Sequence, residues 1–264
     1  MLSFLRVFVL RRIQFILRST GSVFNRLADL VAPKLTHDQR VHPVLCFGDS
    51  ITEGYFNIWP HAKLAPQRPA LPPNVNAHEH ASLLCHPYSI RLGQLLAHDV
   101  GDGAGGYKDS LRYARSRAYS GWTAEELLPM LRRSLREGPW RCVVIMAGVN
   151  DVIWRQASTA TVLAHLEELY AACDEAGVPV IALTNLEADL GEFFTDPIVL
   201  AERQKALADV AEGVLQMRRR RVVADTRKEV PLNDDFFDDA VHPKPTGSVR
   251  LADCVFQAIK FHGL

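Results

Sequence analysis

The chain has 264 residues, enough for one large domain or two small ones. A hydrophobic content of 48% and a charged content of 23% fit a globular protein with a substantial core, and exclude a disordered or fibrous chain. Lysine plus arginine and aspartate plus glutamate are each 30, so overall charge offers nothing for nucleic-acid binding.

The first segment departs from this average. Met1 to Ala28 holds Arg6, Arg11, Arg12, Arg18 and Arg26 but no acidic residue, while Leu2, Leu5, Val9, Ile13 and Ile16 recur on one helical face. The arginines interrupt any run of the roughly 20 apolar residues that a membrane span requires. Arg11-Arg12 fall where the apolar core of a secretory signal would continue. Residues 1–40 therefore read as a basic targeting or membrane-associating segment. An organellar transit peptide, such as a mitochondrial one, is the first expectation. Residues 1–28 lying as a basic helix on an anionic membrane surface are the second, and a helix packed on the domain is the third.

Residues 41–264 read as a single domain of alternating strands and helices. Val44–Phe47 is an apolar run bounded by glycine, the pattern of a buried strand, and leads into Gly48-Asp49-Ser50-Ile51-Thr52-Glu53-Gly54. A serine on such a turn has an exposed hydroxyl and nearby backbone N–H groups. Glu53 suits the first turn of a helix that follows, where an acid meets the positive end of the dipole. Gly-Asp-Ser is equally common as a plain turn, so this block alone decides nothing.

Tyr55 to Pro87 contains six prolines, no glycine and four histidines. Long stretches of this kind are uncommon in compact domains, and this one reads as a flap over a site at residues 55–87. His78, His80, Cys85 and His86 are metal-ligating residue types, but their spacing matches no standard zinc site. Tyr88–His98 has a helical pattern. Gly101-Asp102-Gly103-Ala104-Gly105-Gly106 contains a Gly-x-Gly-x-x-Gly but lacks the strand before it and the helix after it that dinucleotide binding requires, so it reads as a loop.

Leu111–Tyr119 reads as a strand, followed by Ser120-Gly121-Trp122-Thr123. Thr123 and Glu126 have capping-box spacing, which starts a helix over Thr123–Arg136. Arg141–Ala147 is a second strongly apolar strand and runs into Gly148-Val149-Asn150-Asp151. A helix is expected over Thr159–Ala176. Gly177 and Pro179 stop it before a strand at Val178–Thr184. Pro197–Arg218 reads as a helix ending in Arg218-Arg219-Arg220-Arg221, a basic run that fits a solvated helix terminus. A strand at Arg221–Ala224 and a helix at Thr246–Phe261 complete the pattern. Between them, Asp239-Ala240-Val241-His242-Pro243 sets a carboxylate three residues before a histidine.

Serine attack on a carbonyl needs a base for the hydroxyl proton, a carboxylate that fixes the base's tautomer, and donors for the oxyanion. Ser50, His242, Asp239 and Asn150 are residues of those types, and the first and last each follow a strand. The ordered blocks Gly-Asp-Ser, a central glycine, Gly-x-Asn-Asp and Asp-x-x-His resemble those of the SGNH hydrolases of the GDSL esterase/lipase superfamily, over about residues 44–261. The resemblance implies a nucleophile at Ser50, a base at His242 and an orienting carboxylate at Asp239. It implies an oxyanion hole of the Ser50 and Gly121 backbone N–H groups and the Asn150 side chain. Family members often carry smaller residues where Tyr119 and Trp122 flank Ser120-Gly121 here, which would narrow an acyl pocket or shift the loop.

The expected fold is α/β, a flavodoxin-like three-layer α/β/α sandwich on a parallel sheet of about five strands, with the site at the strands' carboxyl ends. The expected activity is hydrolysis of a small acyl ester (a carboxylic ester, a lysophospholipid or a thioester) through an acyl-enzyme. The alternatives are an acyltransferase on the same fold and a non-catalytic lipid-binding module. No metal and no cofactor are expected, because the chemistry the resemblance implies needs neither. Gly-x-Ser-x-Gly is absent, so the α/β-hydrolase nucleophile elbow is excluded. The five cysteines form no Cys-x-x-Cys pair, and Cys46 and Cys142 fall inside predicted strands, which fits packing residues in an intracellular, reducing compartment.

Overall fold

The computed structural model describes residues 42–54, 86–101, 110–233, 237 and 240–264. The basic segment at 1–40, the flap apart from His86 and Pro87, the glycine loop beyond Gly101, and Asp239 lie outside the described residues.

Five strands form one all-parallel sheet: β1 (Val44–Gly48), β2 (Ala114–Ala118), β3 (Val143–Met146), β4 (Val180–Leu183) and β5 (Val222–Ala224). Their order across the sheet is β2-β1-β3-β4-β5. All residues of β1, β3 and β4 are buried, which is why these strands read as continuous apolar runs rather than alternating ones. The long helices are α2 (Tyr88–Asp99), α3 (Ala124–Leu135), α5 (Thr159–Glu175), α6 (Pro197–Gln216) and α7 (Pro245–His262). Three of these five, α3, α5 and α6, begin at a side-chain cap, from Thr123, Ser158 and Asp196 respectively. The first and fourth helices in chain order are short: α1 (Ser50–Glu53) and α4 (Val149–Ile153). The capping box of α3 forms, with the Glu126 N–H donating to Thr123 Oγ1 and the Thr123 N–H donating to Glu126 Oε2. Gly177 ends the turn after α5 at φ +67°, in the left-handed region that glycine adopts without strain.

Helices α2 and α7 pack together on one face of the sheet, and α3, α5 and α6 pack in sequence on the other. This is the expected α/β/α sandwich. The boundaries differ in detail. Strand β2 begins at Ala114 rather than Leu111, because it pairs only where β1 runs beside it, from Val44 opposite Ala114 to Gly48 opposite Ala118. The basic run also differs from expectation. Arg218, Arg219 and Arg220 are exposed, but Arg221, immediately before β5, meets Asp174 Oδ2 at 2.8 Å and Glu167 Oε2 at 3.2 Å through its side chain. Its guanidinium also lies over the Tyr170 ring, 5.2 Å from the centroid. A cation with two carboxylates and a ring face is a tertiary clamp, not a solvated terminus.

The strand order reverses between β1 and β3. On a doubly wound sheet the crevice outside that switch point is where ligands bind. The turn bearing Ser50 follows β1 and the one bearing Asn150 follows β3.

Candidate active site

Gly48 ends β1 where no side chain fits, since a Cβ there would lie 2.1 Å from the Met146 carbonyl oxygen and 2.4 Å from Thr52 Oγ1. Asp49 then caps α1: its Oδ1 accepts the Ile51 N–H at 3.0 Å. Ser50 is the first residue of α1, and Gly54 closes that single turn at φ +73°. The Gly54 carbonyl accepts the His86 N–H at 2.7 Å, so the chain returns to the nucleophile turn before entering α2.

Ser50 Oγ lies 2.9 Å from His242 Nε2. The two residues are 192 positions apart and meet because the loop before α7 runs back over the carboxyl edge of the sheet. That loop is held by an antiparallel bridge between Phe237 and Pro243, and by the Asp189 N–H donating to the Ala240 carbonyl at 2.8 Å. With Nε2 facing Ser50, Nδ1 is the ring atom that an orienting carboxylate would take.

Gly121 is the third residue of a four-residue turn, Tyr119 to Trp122, closed by the Trp122 N–H on the Tyr119 carbonyl at 3.1 Å. Its φ of +76° is the value a type II turn requires at that position, and a side chain would strain it. The two flanking aromatics are accounted for by packing. Tyr119 is buried against Phe47, with centroids 5.9 Å apart, and half-buried Trp122 lies 5.1 Å from Tyr119.

Asn150 sits in α4, whose preceding residue, Gly148, has φ +109°. A Cβ on Gly148 would come within 2.9 Å of Val162 Cγ1. The Asn150 side chain donates from Nδ2 to the Trp122 carbonyl at 3.0 Å, so it fastens the Gly121 turn to α4. Its Oδ1 accepts the Trp154 indole N–H at 2.9 Å. Asp151, beside it, faces another way. Its Oδ2 accepts the Ala124 N–H at 2.9 Å at the start of α3, and its Oδ1 lies 3.5 Å from His165 Nδ1.

The structure thus brings Ser50, His242, Asn150 and the Gly121 turn to one edge of the sheet. Sequence reasoning missed three parts of this neighbourhood. Glu53 stands in the first turn of α1 as expected, but it is also 6% exposed and accepts the Ser120 hydroxyl through Oε2, tying α1 to the residue before Gly121. Burial pushes its carboxyl up to about 7, moderated by the Ser120 hydrogen bond and the nearby His242, with Asp49 adding to the rise. Asp49 is fully buried and likewise pushed up to about 7, first by burial. Its hydrogen bond from Ile51 and the nearness of His242 act against that rise, while Asp151 adds to it. Trp154 is the third, and its signal was present as a four-residue spacing from Asn150 on a helix.

A cavity of about 230 Å³ lies beyond the end of β4, lined by Asn185, Leu186, Ala188, Leu207, Ala211 and Arg227 among others; it does not include Ser50, Gly121, Asn150 or His242. Among the described residues no group of three or more His, Cys, Asp or Glu side chains is arranged to hold a metal ion.

Solved structures share this fold. A GDSL-like lipase from Bacteroides thetaiotaomicron superposes with a TM-score of 0.58 at 16% identity, covering 92% of this chain and 98% of its own. A carbohydrate acetylesterase from Sinorhizobium meliloti gives 0.57 at 17% identity, covering 84% and 99%. The inhibitor-bound aryl esterase of M. smegmatis gives 0.56 at 14% identity, covering 84% and 99%. No curated protein sequence matches the chain. The sequence profile of the GDSL-like lipase/acylhydrolase family matches residues 46–250. With that match over most of its length, on a five-stranded parallel α/β/α fold, the chain belongs to the GDSL-like lipase/acylhydrolase family and is a hydrolase acting on ester bonds.

Proposed function

We propose that the chain is a serine esterase that cleaves small acyl esters through an acyl-enzyme on Ser50. The observation that carries this reading is the 2.9 Å approach of Ser50 Oγ to His242 Nε2 at the sheet's carboxyl edge. That distance is within the hydrogen-bond reach a general base needs.

Ser50 Oγ attacks the acyl carbonyl carbon while His242 Nε2 takes its proton. The carbonyl electron pair moves onto oxygen, and the resulting oxyanion is met by the Ser50 and Gly121 backbone N–H groups and by Asn150 Nδ2. The carbon–oxygen bond to the leaving alcohol then breaks, and His242 returns the proton to the departing oxygen. Water, deprotonated by the same nitrogen, attacks the acyl-enzyme and releases the acid. Asp239 is assigned the tautomer-fixing role on the Asp-x-x-His spacing alone.

A short acyl ester is the favoured substrate class, with a lysophospholipid second. Solved proteins of this fold include an aryl esterase and a carbohydrate acetylesterase, and their ester chemistry supports the first preference. An ester panel of graded chain length, run on purified protein with and without an added alcohol, tests both substrate and acceptor. New ester formed in the presence of the alcohol would replace hydrolysis with acyl transfer.

Ser50→Ala and His242→Ala should each fold and each lose turnover by about 10⁴-fold or more, because nucleophile and base act as a unit. The double variant should be little worse than either single one. A fluorophosphonate should label the parent chain and leave Ser50→Ala unlabelled. Multiplicative losses, or labelling of Ser50→Ala, would refute the assignment.

A further inference from the structure

An asparagine can serve as an oxyanion donor only if its amide nitrogen, and not its oxygen, faces the substrate. Rotating the side-chain amide by half a turn exchanges the two at almost no steric cost, so the orientation must come from the partners. The partners of Asn150 are both one-way. The Trp122 carbonyl can only accept and meets Nδ2 at 3.0 Å. The Trp154 indole N–H can only donate and meets Oδ1 at 2.9 Å. The reversed amide would set oxygen against oxygen on one side and N–H against N–H on the other. In the observed orientation Oδ1 is taken by the indole and one Nδ2 hydrogen by Trp122, and among the described residues no acceptor takes the second Nδ2 hydrogen, which is left for an incoming oxyanion.

Trp154 is itself held. It lies one helical turn after Asn150, with its backbone N–H on the Asn150 carbonyl at 2.8 Å. Its ring stands edge-on to Phe193, with centroids 5.6 Å apart and an interplanar angle of 86°. Phe193 follows directly on the stretch whose Asp189 N–H holds the loop of His242 through Ala240. One connection therefore braces both the base and the ring behind the amide.

We infer that Trp154 is a positioning residue that fixes the Asn150 amide with its nitrogen toward the oxyanion. This rests on Asn150 being an oxyanion donor, and the test separates the two. Trp154→Phe keeps a ring against Phe193 and deletes the donor. Incorporation of benzothienylalanine at position 154, with sulfur in place of the indole N–H, deletes the donor at nearly constant shape and covers the case in which Phe destabilises the fold. Kinetics on a short-chain ester are normalised by fluorophosphonate titration of active Ser50.

Both variants should lower kcat by about 3- to 10-fold, the worth of one ordinary hydrogen bond, with KM changed less than about twofold. Asn150→Ala should cost about 10²–10³ in kcat. Trp154→Phe/Asn150→Ala should be no slower than Asn150→Ala alone, because a residue acting through Asn150 has nothing left to act on. A normal kcat in both Trp154 variants, or a loss that multiplies onto that of Asn150→Ala, overturns the positioning role while leaving the donor in place. An unchanged kcat in Asn150→Ala overturns the oxyanion assignment itself, and the inference with it.

Discussion

Glu53 carries a stability cost that can be read directly. Burial raises its carboxyl from 4.5 to about 7, so between those values the folded chain holds a proton that the unfolded chain has released. Where the unfolded state binds fewer protons, stability falls as pH rises. The favourable contribution is therefore complete below about pH 4.5 and is lost by about pH 7. At about 1.4 kcal/mol per pH unit, the rise corresponds to about 3 kcal/mol. Glu53→Gln removes the titration and keeps an oxygen that can accept the Ser120 hydroxyl. Oε1 of Glu53 is buried with no hydrogen-bond partner among the described residues, so both side chains leave one polar end unmet there and that term largely cancels. The variant should match the parent near pH 4.5 and exceed it by up to about 3 kcal/mol at pH 8, the gain accumulating between those limits. Urea unfolding followed by circular dichroism at half-unit pH steps measures the difference, with equal m values required of the pair. A gap that stays constant with pH would show that Glu53 binds its proton equally well in the folded and unfolded chains, and would refute the upward shift. A variant that becomes relatively weaker as pH rises would reverse the sign and show that the fold favours the charged form.

Gly148→Ala should destabilise by about 1–3 kcal/mol, because φ +109° is strained for any residue with a Cβ and Val162 Cγ1 would lie 2.9 Å away. A change under about 0.5 kcal/mol in urea would refute that account of the turn before Asn150. Arg221→Met should cost about 1–2 kcal/mol in dilute buffer, discounted for the partial exposure of Asp174 and Glu167. The gap should narrow in 0.5 M salt, whereas Arg219→Met, at an exposed position, should change stability by less than about 0.5 kcal/mol. Equal losses at the two positions would return the basic run to a uniform helix end. For residues 1–35 we propose an address or anchor, so their fusion to a fluorescent protein should leave the cytosol for an organelle or a membrane. A diffuse cytosolic signal would refute it.

Much of the framework was legible along the chain because its causes are local. Strands β1, β3 and β4 announce themselves as apolar runs because both of their faces are covered. Thr123 with Glu126, Gly177, Pro197 and Pro245 mark helix ends through hydrogen bonds and dihedrals that involve only near neighbours. The site blocks were equally readable as residue types. Ser50, Gly121 and Asn150 each stand just after a strand, which sends them to the same edge of any parallel sheet.

Which of those residues meet was decided by the order of strands, and no short window carries that order. Strand β1 is inserted between β2 and β3, so the turns bearing Gly121 and Asn150 flank the one bearing Ser50. The same arrangement makes Glu53 a buried partner of Ser120, 67 positions away, where the sequence offered only a favourable acid at a helix start. Arg221 was read by its charged neighbours, but its environment is set by Glu167 and Asp174 on α5, brought close when β5 joins the sheet beside β4. Periodicity and caps are set by interactions within a few residues. Burial of a charge and the orientation of an amide are set by contacts across the sandwich, and these exist only once the layers have packed.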